Sequence, residues 1–131
     1  MIVSIGIDII EVGRIREVLL RTPRFVDRVY TEAERAYCES RGVVAAQHYA
    51  ARFAAKEAAL KALQTGWRGG ISWHDVEISS TENGAPVLIL SGEVKRLMES
   101  SGATAAHLSM SHTTEHAIAE VVLESLAADL R

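Results

Sequence analysis

From Ala51 to Leu63 the chain reads Ala-Arg-Phe-Ala-Ala-Lys-Glu-Ala-Ala-Leu-Lys-Ala-Leu, nearly all strong helix formers, with neither Gly nor Pro to interrupt them. A stretch of that composition predicts a helix, and the other elements must pack around it. At about 3.6 residues per turn, Phe53, Glu57 and Lys61 share one stripe carrying a ring, then a carboxylate, then an ammonium. As a solvated pair, Glu57 and Lys61 would contribute roughly 0.3–0.5 kcal/mol and no chemistry. The helix alone does not separate that reading from a functional one.

The first ten residues supply the second constraint. Val3, Ile5, Ile7 and Ile9 alternate with Ser4, Gly6 and Asp8, which predicts a strand with its branched face in the core and a face of small or polar groups opposite. Asp8 lies on the small-residue face. A carboxylate ending such a run needs a partner or a cation to offset its desolvation, unless it caps the helix that follows.

Taken together, Gly6-Ile7-Asp8-Ile9-Ile10 with Arg14, Arg52-Phe53-Ala54-Ala55-Lys56-Glu57-Ala58 with Lys61-Ala62, and Ser111-His112-Thr113 resemble the three motifs of the holo-acyl-carrier-protein synthases, the small 4'-phosphopantetheinyl transferases. They stand in that family's order and at its separations, over essentially the whole chain. The chain departs from the family pattern at Gln64 in Lys61-Ala62-Leu63-Gln64-Thr65-Gly66, where a glycine is typical, and at Ala85 in Asn83-Gly84-Ala85-Pro86, where a lysine is common.

Composition fits a soluble intracellular protein of modest size. With 131 residues and 48% apolar content, the chain is long enough for one well-buried core and short for two ordinary domains, so residues 1–131 are expected to form a single domain. A net charge of −3 argues against general nucleic-acid binding. The charge is unevenly spread, with Arg14, Arg16, Arg21, Arg24 and Arg28 forming a basic segment. Cys38 is the single cysteine, which excludes an internal disulfide and suits a reducing cytoplasm. No apolar run is long enough to span a membrane, and the opening residues show no basic segment or cleavage site, so a soluble intracellular protein is expected.

Along the chain, helices are expected from Glu11 to Leu20, after Thr22-Pro23 through Val29, from the capping box at Thr31 to about Arg41, and from near Val43 to before Gly66. A hairpin follows across Asn83-Gly84, joining Asp75–Ile78 to Pro86–Leu90. A helix over 92–101 ends at Gly102, and a last hairpin pairs His107–His112 with Ala117–Leu123. Helices first, then an antiparallel sheet completed by the N-terminal strand, give an α+β fold, which is also what the resemblance implies.

Two carboxylates from different elements suit a hard, oxygen-loving cation such as Mg²⁺, with Mn²⁺ an alternative. The resemblance implies coenzyme A and an apo acyl carrier protein as substrates. It implies that Asp8 and Glu57 hold the metal and that Lys61 reaches the phosphates. The serine proton goes to Glu57 or to a water activated by the cation. Arg52 and His112 match positions at the 3'-phosphate end of coenzyme A, with Phe53, Gly66, Asn83, Pro86, Ser111 and Thr113 as further ligand contacts. Arg14, Arg21, Arg24 and Phe25 are candidates to dock the acidic carrier. A homotrimer with shared active sites is carried by the resemblance alone. A Mg²⁺-dependent phosphohydrolase and a non-catalytic binding module are the competing readings.

Overall fold

The computed structural model describes residues 1–67 and 69–126. The first strand, β1 (Ile2–Glu11), leads into three short helices, α1 (Val12–Arg21), α2 (Pro23–Val29) and α3 (Glu32–Glu39). A 3₁₀ turn at Gly42–Val44 opens the long helix α4 (Ala45–Leu63). A second 3₁₀ turn (Trp73–Asp75) precedes β2 (Val76–Ser80) and β3 (Pro86–Leu90), and α5 (Gly92–Ser100), β4 (Ala105–His112) and β5 (His116–Glu124) complete the chain. All pairing is antiparallel, in two sheets: β1-β5-β4 and the β2-β3 hairpin. This is the α+β architecture expected, with β1 joining the C-terminal hairpin through β5.

The local signals act largely as their chemistry requires. Thr31 forms a complete capping box with Glu34, its hydroxyl accepting from Glu34 N and its own N–H donating to Glu34 Oε1 at 2.8 Å. Thr22, expected to cap α2, makes no side-chain cap; Pro23 at the first helical position sets the start instead. The helix expected from Val43 begins at Ala45, because Gly42 takes φ +60° and the chain first makes a 3₁₀ turn.

One expectation about β1 is reversed. Its face with the branched side chains points away from the core: Ile5, Ile7 and Ile9 are 53%, 51% and 61% exposed. Ser4, Gly6, Asp8 and Ile10 face inward. The reason is the helix on that side. A Cβ on Gly6 would overlap the Ala58 carbonyl oxygen and lie 2.6 Å from Ala62 N, so strand and helix touch backbone to backbone. The alanines of α4, Ala54, Ala55, Ala58, Ala59 and Ala62, are all buried and permit that approach.

The rotation of α4 is fixed by a buried ion pair. Lys56 Nζ lies 2.9 Å from Glu34 Oε1 with both side chains fully buried, and it donates to the carbonyls of Trp73 at 3.1 Å and Val76. Glu34 Oε2 accepts from Ile78 N at 2.7 Å, so α3, α4 and β2 are tied at one point. Burial pushes the Lys56 ammonium below its usual range, and Glu34 pushes it back. Removing one partner of such a pair costs about 3–5 kcal/mol. Cys38 is buried in the neighbouring cluster, where burial raises its thiol to about 12.

Candidate active site

The close packing of β1 on α4 decides where Asp8 goes. Two residues beyond Gly6 on the same face, its carboxylate lies against the last turns of α4, and Lys61 Nζ donates to Asp8 Oδ1 at 2.9 Å and to the Ile7 carbonyl at 3.1 Å. Asp8 is not a helix cap: the cap position of α1 is Glu11, with no side-chain bond. The other Asp8 oxygen, Oδ2, is buried and has no hydrogen-bond partner. A charged oxygen taken from water without a partner is costly, so this atom marks a place for a ligand.

Glu57 is the second carboxylate. It is half-buried, and its carboxyl is held above its usual range first by burial and then by the negative charge of Asp8. Lys61 and the Trp67 indole oppose the shift, although Trp67 Nε1 is itself buried without a partner in hydrogen-bonding geometry. A cation between Asp8 and Glu57 would relieve both the repulsion and the unpaired oxygen. Among the described residues no three His, Cys, Asp or Glu side chains cluster as a metal site. Asp8 and Glu57 would offer a cation two carboxylates, a donor chemistry that suits a hard ion such as Mg²⁺.

The other expected ligand contacts lie elsewhere. Arg52 is only 3% exposed, with its guanidinium carbon 4.1 Å from the Tyr37 ring centroid and its Nε unpaired. His112 lies at the far end of α4, its Nδ1 2.9 Å from Gln47 Oε1 and its ring edge-on to His48 at 4.9 Å. Burial, and then His112 beside it, lowers the His48 pKa. Gln47 and Glu57 are ten residues apart on one helix, about 15 Å along its axis. Within one chain the His112 group and the carboxylate pair are thus separate.

Ser111 is exposed on the outer face of the sheet, opposite Ile118, and Thr113 closes the β4–β5 turn by accepting from His116 N at 3.1 Å. Asn83 and Pro86 belong to the β2–β3 hairpin, and Gly66 follows α4 with φ +61°. Gln64 takes the left-handed conformation at the helix end, φ 60°, that its family counterpart meets with a glycine.

The basic segment is displayed as expected: Arg14, Arg16, Arg21, Arg24 and Arg28 are all exposed. Arg21 pairs with Glu17 one turn earlier. Phe25 is half-buried, its ring 5.8 Å from that of Phe53, and the two line an apolar cavity of about 140 Å³ with Ile10, Arg14, Ile15 and Val18. Sequence reasoning singled out neither Trp67 nor the Gln47–His48 pair; an aromatic residue following Gly66, just beyond the end of the long helix, was the available signal for the first.

The 4'-phosphopantetheinyl transferase superfamily model matches residues 4–121. A holo-[acyl-carrier-protein] synthase of Koribacter versatilis is 47% identical over 95% of this chain and 99% of its own. Among solved structures, a holo-(acyl-carrier-protein) synthase from Bacillus anthracis in complex with CoA (3',5'-ADP) is 43% identical with a TM-score of 0.78, covering 95% of this chain and 98% of that one. The Helicobacter pylori holo-[acyl-carrier-protein] synthase in complex with coenzyme A is 34% identical with a TM-score of 0.78, covering 92% and 99%.

Proposed function

We propose, because this chain belongs to the 4'-phosphopantetheinyl transferase superfamily, that it moves the 4'-phosphopantetheine group of coenzyme A onto a serine of an apo acyl carrier protein, releasing adenosine 3',5'-bisphosphate. Residues 1–131 act as one transferase domain. The observation that carries the assignment of the site is Asp8 Oδ2, buried and unpaired beside Lys61 and close enough to Glu57 to raise its pKa.

Magnesium, or manganese, held by Asp8 and Glu57 supplies neutralisation of charge on the diphosphate oxygens of coenzyme A. Lys61, exposed and hydrogen-bonded to Asp8, orients that carboxylate and would offer its ammonium to the phosphate oxygens. The proton of the attacking serine would go to Glu57 or to a water activated by the cation. The serine oxygen then forms the new P–O bond as the bond to the departing bisphosphate breaks.

The carrier docks on α1 and α2. Arg14, Arg21 and Arg24 face solvent, and the cavity edged by Phe25 and Phe53 offers an apolar notch beside Arg14. The exposed Ile5, Ile7 and Ile9, joined on the same sheet face by Ile118, favour the homotrimer: a stripe of this kind is unusual on a monomer's surface. With His112 at the far end of α4 from Glu57 in one chain, it and Arg52 serve the 3'-phosphate end of coenzyme A held between subunits, together with Phe53, Gly66, Asn83, Pro86, Ser111 and Thr113. A cytoplasmic location goes with this reading of the substrates.

Following coenzyme A by chromatography, with and without apo carrier, tests the reaction. Transfer requires the carrier, and stoichiometric loss of coenzyme A in its absence would instead support the phosphohydrolase reading.

A further inference from the structure

One ring on α3 joins the two cationic side chains that lie away from the carboxylate pair. Tyr37 has the Arg52 guanidinium carbon 4.1 Å from its ring centroid and that of Arg41 at 5.7 Å, and its ring meets His48 edge-on at 5.5 Å. His48 in turn lies edge-on to His112 at 4.9 Å, and Gln47 Oε1 is 2.9 Å from His112 Nδ1. Arg52 and His48 stand one turn apart on α4, so a single side chain from the neighbouring helix touches both.

Arg52 is otherwise poorly satisfied. It is 3% exposed and its Nε has no hydrogen-bond partner. Glu77, which lines the same cavity of about 240 Å³ as Arg52 and Tyr37, already accepts from the Thr31 hydroxyl at 2.6 Å. A buried guanidinium that lacks a carboxylate is costly unless an anion comes to it. Contact with a ring uses the face of the guanidinium and leaves its N–H edge free, which is the edge that a phosphate engages. The attraction between cation and ring is also strongest away from water, where Arg52 lies.

We propose that Tyr37 is a positioning residue for coenzyme A: its ring holds the Arg52 guanidinium in place and, through His48, sets it beside His112, so that the two meet one phosphomonoester together. This rests on the reading that Arg52 and His112 serve the 3'-phosphate end of coenzyme A, and it adds the group that joins them. Tyr37 touches no part of the ligand in this account. Its effect is confined to the phosphate that Arg52 and His112 share, so it acts on the preference for ligands that carry that phosphate.

The test measures the binding of coenzyme A, and of dephospho-coenzyme A, which lacks the 3'-phosphate, to the full chain in Mg²⁺ by calorimetry. The parent should prefer coenzyme A by at least about 10-fold. Tyr37→Leu should weaken coenzyme A binding about 10-fold and leave dephospho-coenzyme A within about twofold, whereas Tyr37→Phe, which keeps the ring, should behave as the parent. Equal weakening of both ligands in Tyr37→Leu, or a preference left intact there while Arg52→Gln removes it, overturns this inference and leaves the reading of Arg52 standing. A parent that binds the two ligands equally, or an Arg52→Gln variant that keeps the full preference, overturns that reading and this inference with it. If Tyr37→Leu fails to fold, Arg52→Lys decides: it keeps the charge but has no planar face to lay on the ring, so its preference should fall, and a preference retained in full overturns the proposal.

Discussion

Lys61 Nζ lies 2.9 Å from Asp8 Oδ1, joining the centre of the opening strand to the last turn of the long helix while the second oxygen of the same carboxylate stays buried and unpaired. The pair is partly exposed, so its own worth to stability is about 0–1 kcal/mol. Asp8→Asn should therefore unfold within a few degrees of the parent and yet lose transfer by at least about 100-fold, because the charge that holds the ion is gone. Lys61→Ala should lower kcat about 10²- to 10³-fold with similar stability. Denaturation curves beside steady-state rates check both.

Gly6 sets the distance on which that pair depends. A methyl group there meets the Ala58 carbonyl and Ala62 N with no flexible side chain to give way. Gly6→Ala should destabilise by about 1–3 kcal/mol or more, measured by urea unfolding, and should reduce activity in the fraction that still folds because Asp8 moves with the strand.

Ile7 occupies the middle of the exposed stripe on β1, opposite Glu120 of β5. Ile7→Glu would place a carboxylate beside Glu120 in any assembly that buries this face. Sedimentation should show a trimer for the parent and a smaller species for the variant, which should also lose coenzyme A affinity if the ligand is held between subunits.

The arginines of α1 and α2 predict a salt-sensitive encounter with the carrier. Reversing charge in Arg14→Glu or Arg24→Glu should raise the KM for an acidic carrier, leave kcat nearly unchanged, and flatten the dependence of kcat/KM on ionic strength. Kinetics across a salt series measure all three quantities.

The period of β1, the capping box at Thr31, the Asn83-Gly84 hairpin and the helix around Glu57 were legible in the sequence because each depends on local chemistry. Motif resemblance singled out Asp8, Glu57 and Lys61 together, but the hydrogen bond from Lys61 to Asp8 was not legible, because it follows from the close glycine and alanine contact of strand on helix. Which face of β1 is buried was not legible. Alternation gives two faces, and a rule that sends isoleucines inward assumes a lone chain whose core is not already filled by an alanine-rich helix. The buried Lys56–Glu34 pair was hidden for a similar reason: lysine next to glutamate in a helix looks like surface until α3 and β2 close over it. The separation of His112 from Glu57 follows from helix length, which motif order along the chain does not convey.

The central claim is that Asp8 and Glu57 jointly hold the ion through which coenzyme A is engaged. Intact-mass measurement of an apo acyl carrier protein incubated with coenzyme A and Mg²⁺ should show one added phosphopantetheine with the parent chain, and none with Asp8→Ala, with Glu57→Ala, or after chelation of the metal. Full modification of the carrier by the Asp8→Ala/Glu57→Ala double variant would contradict it.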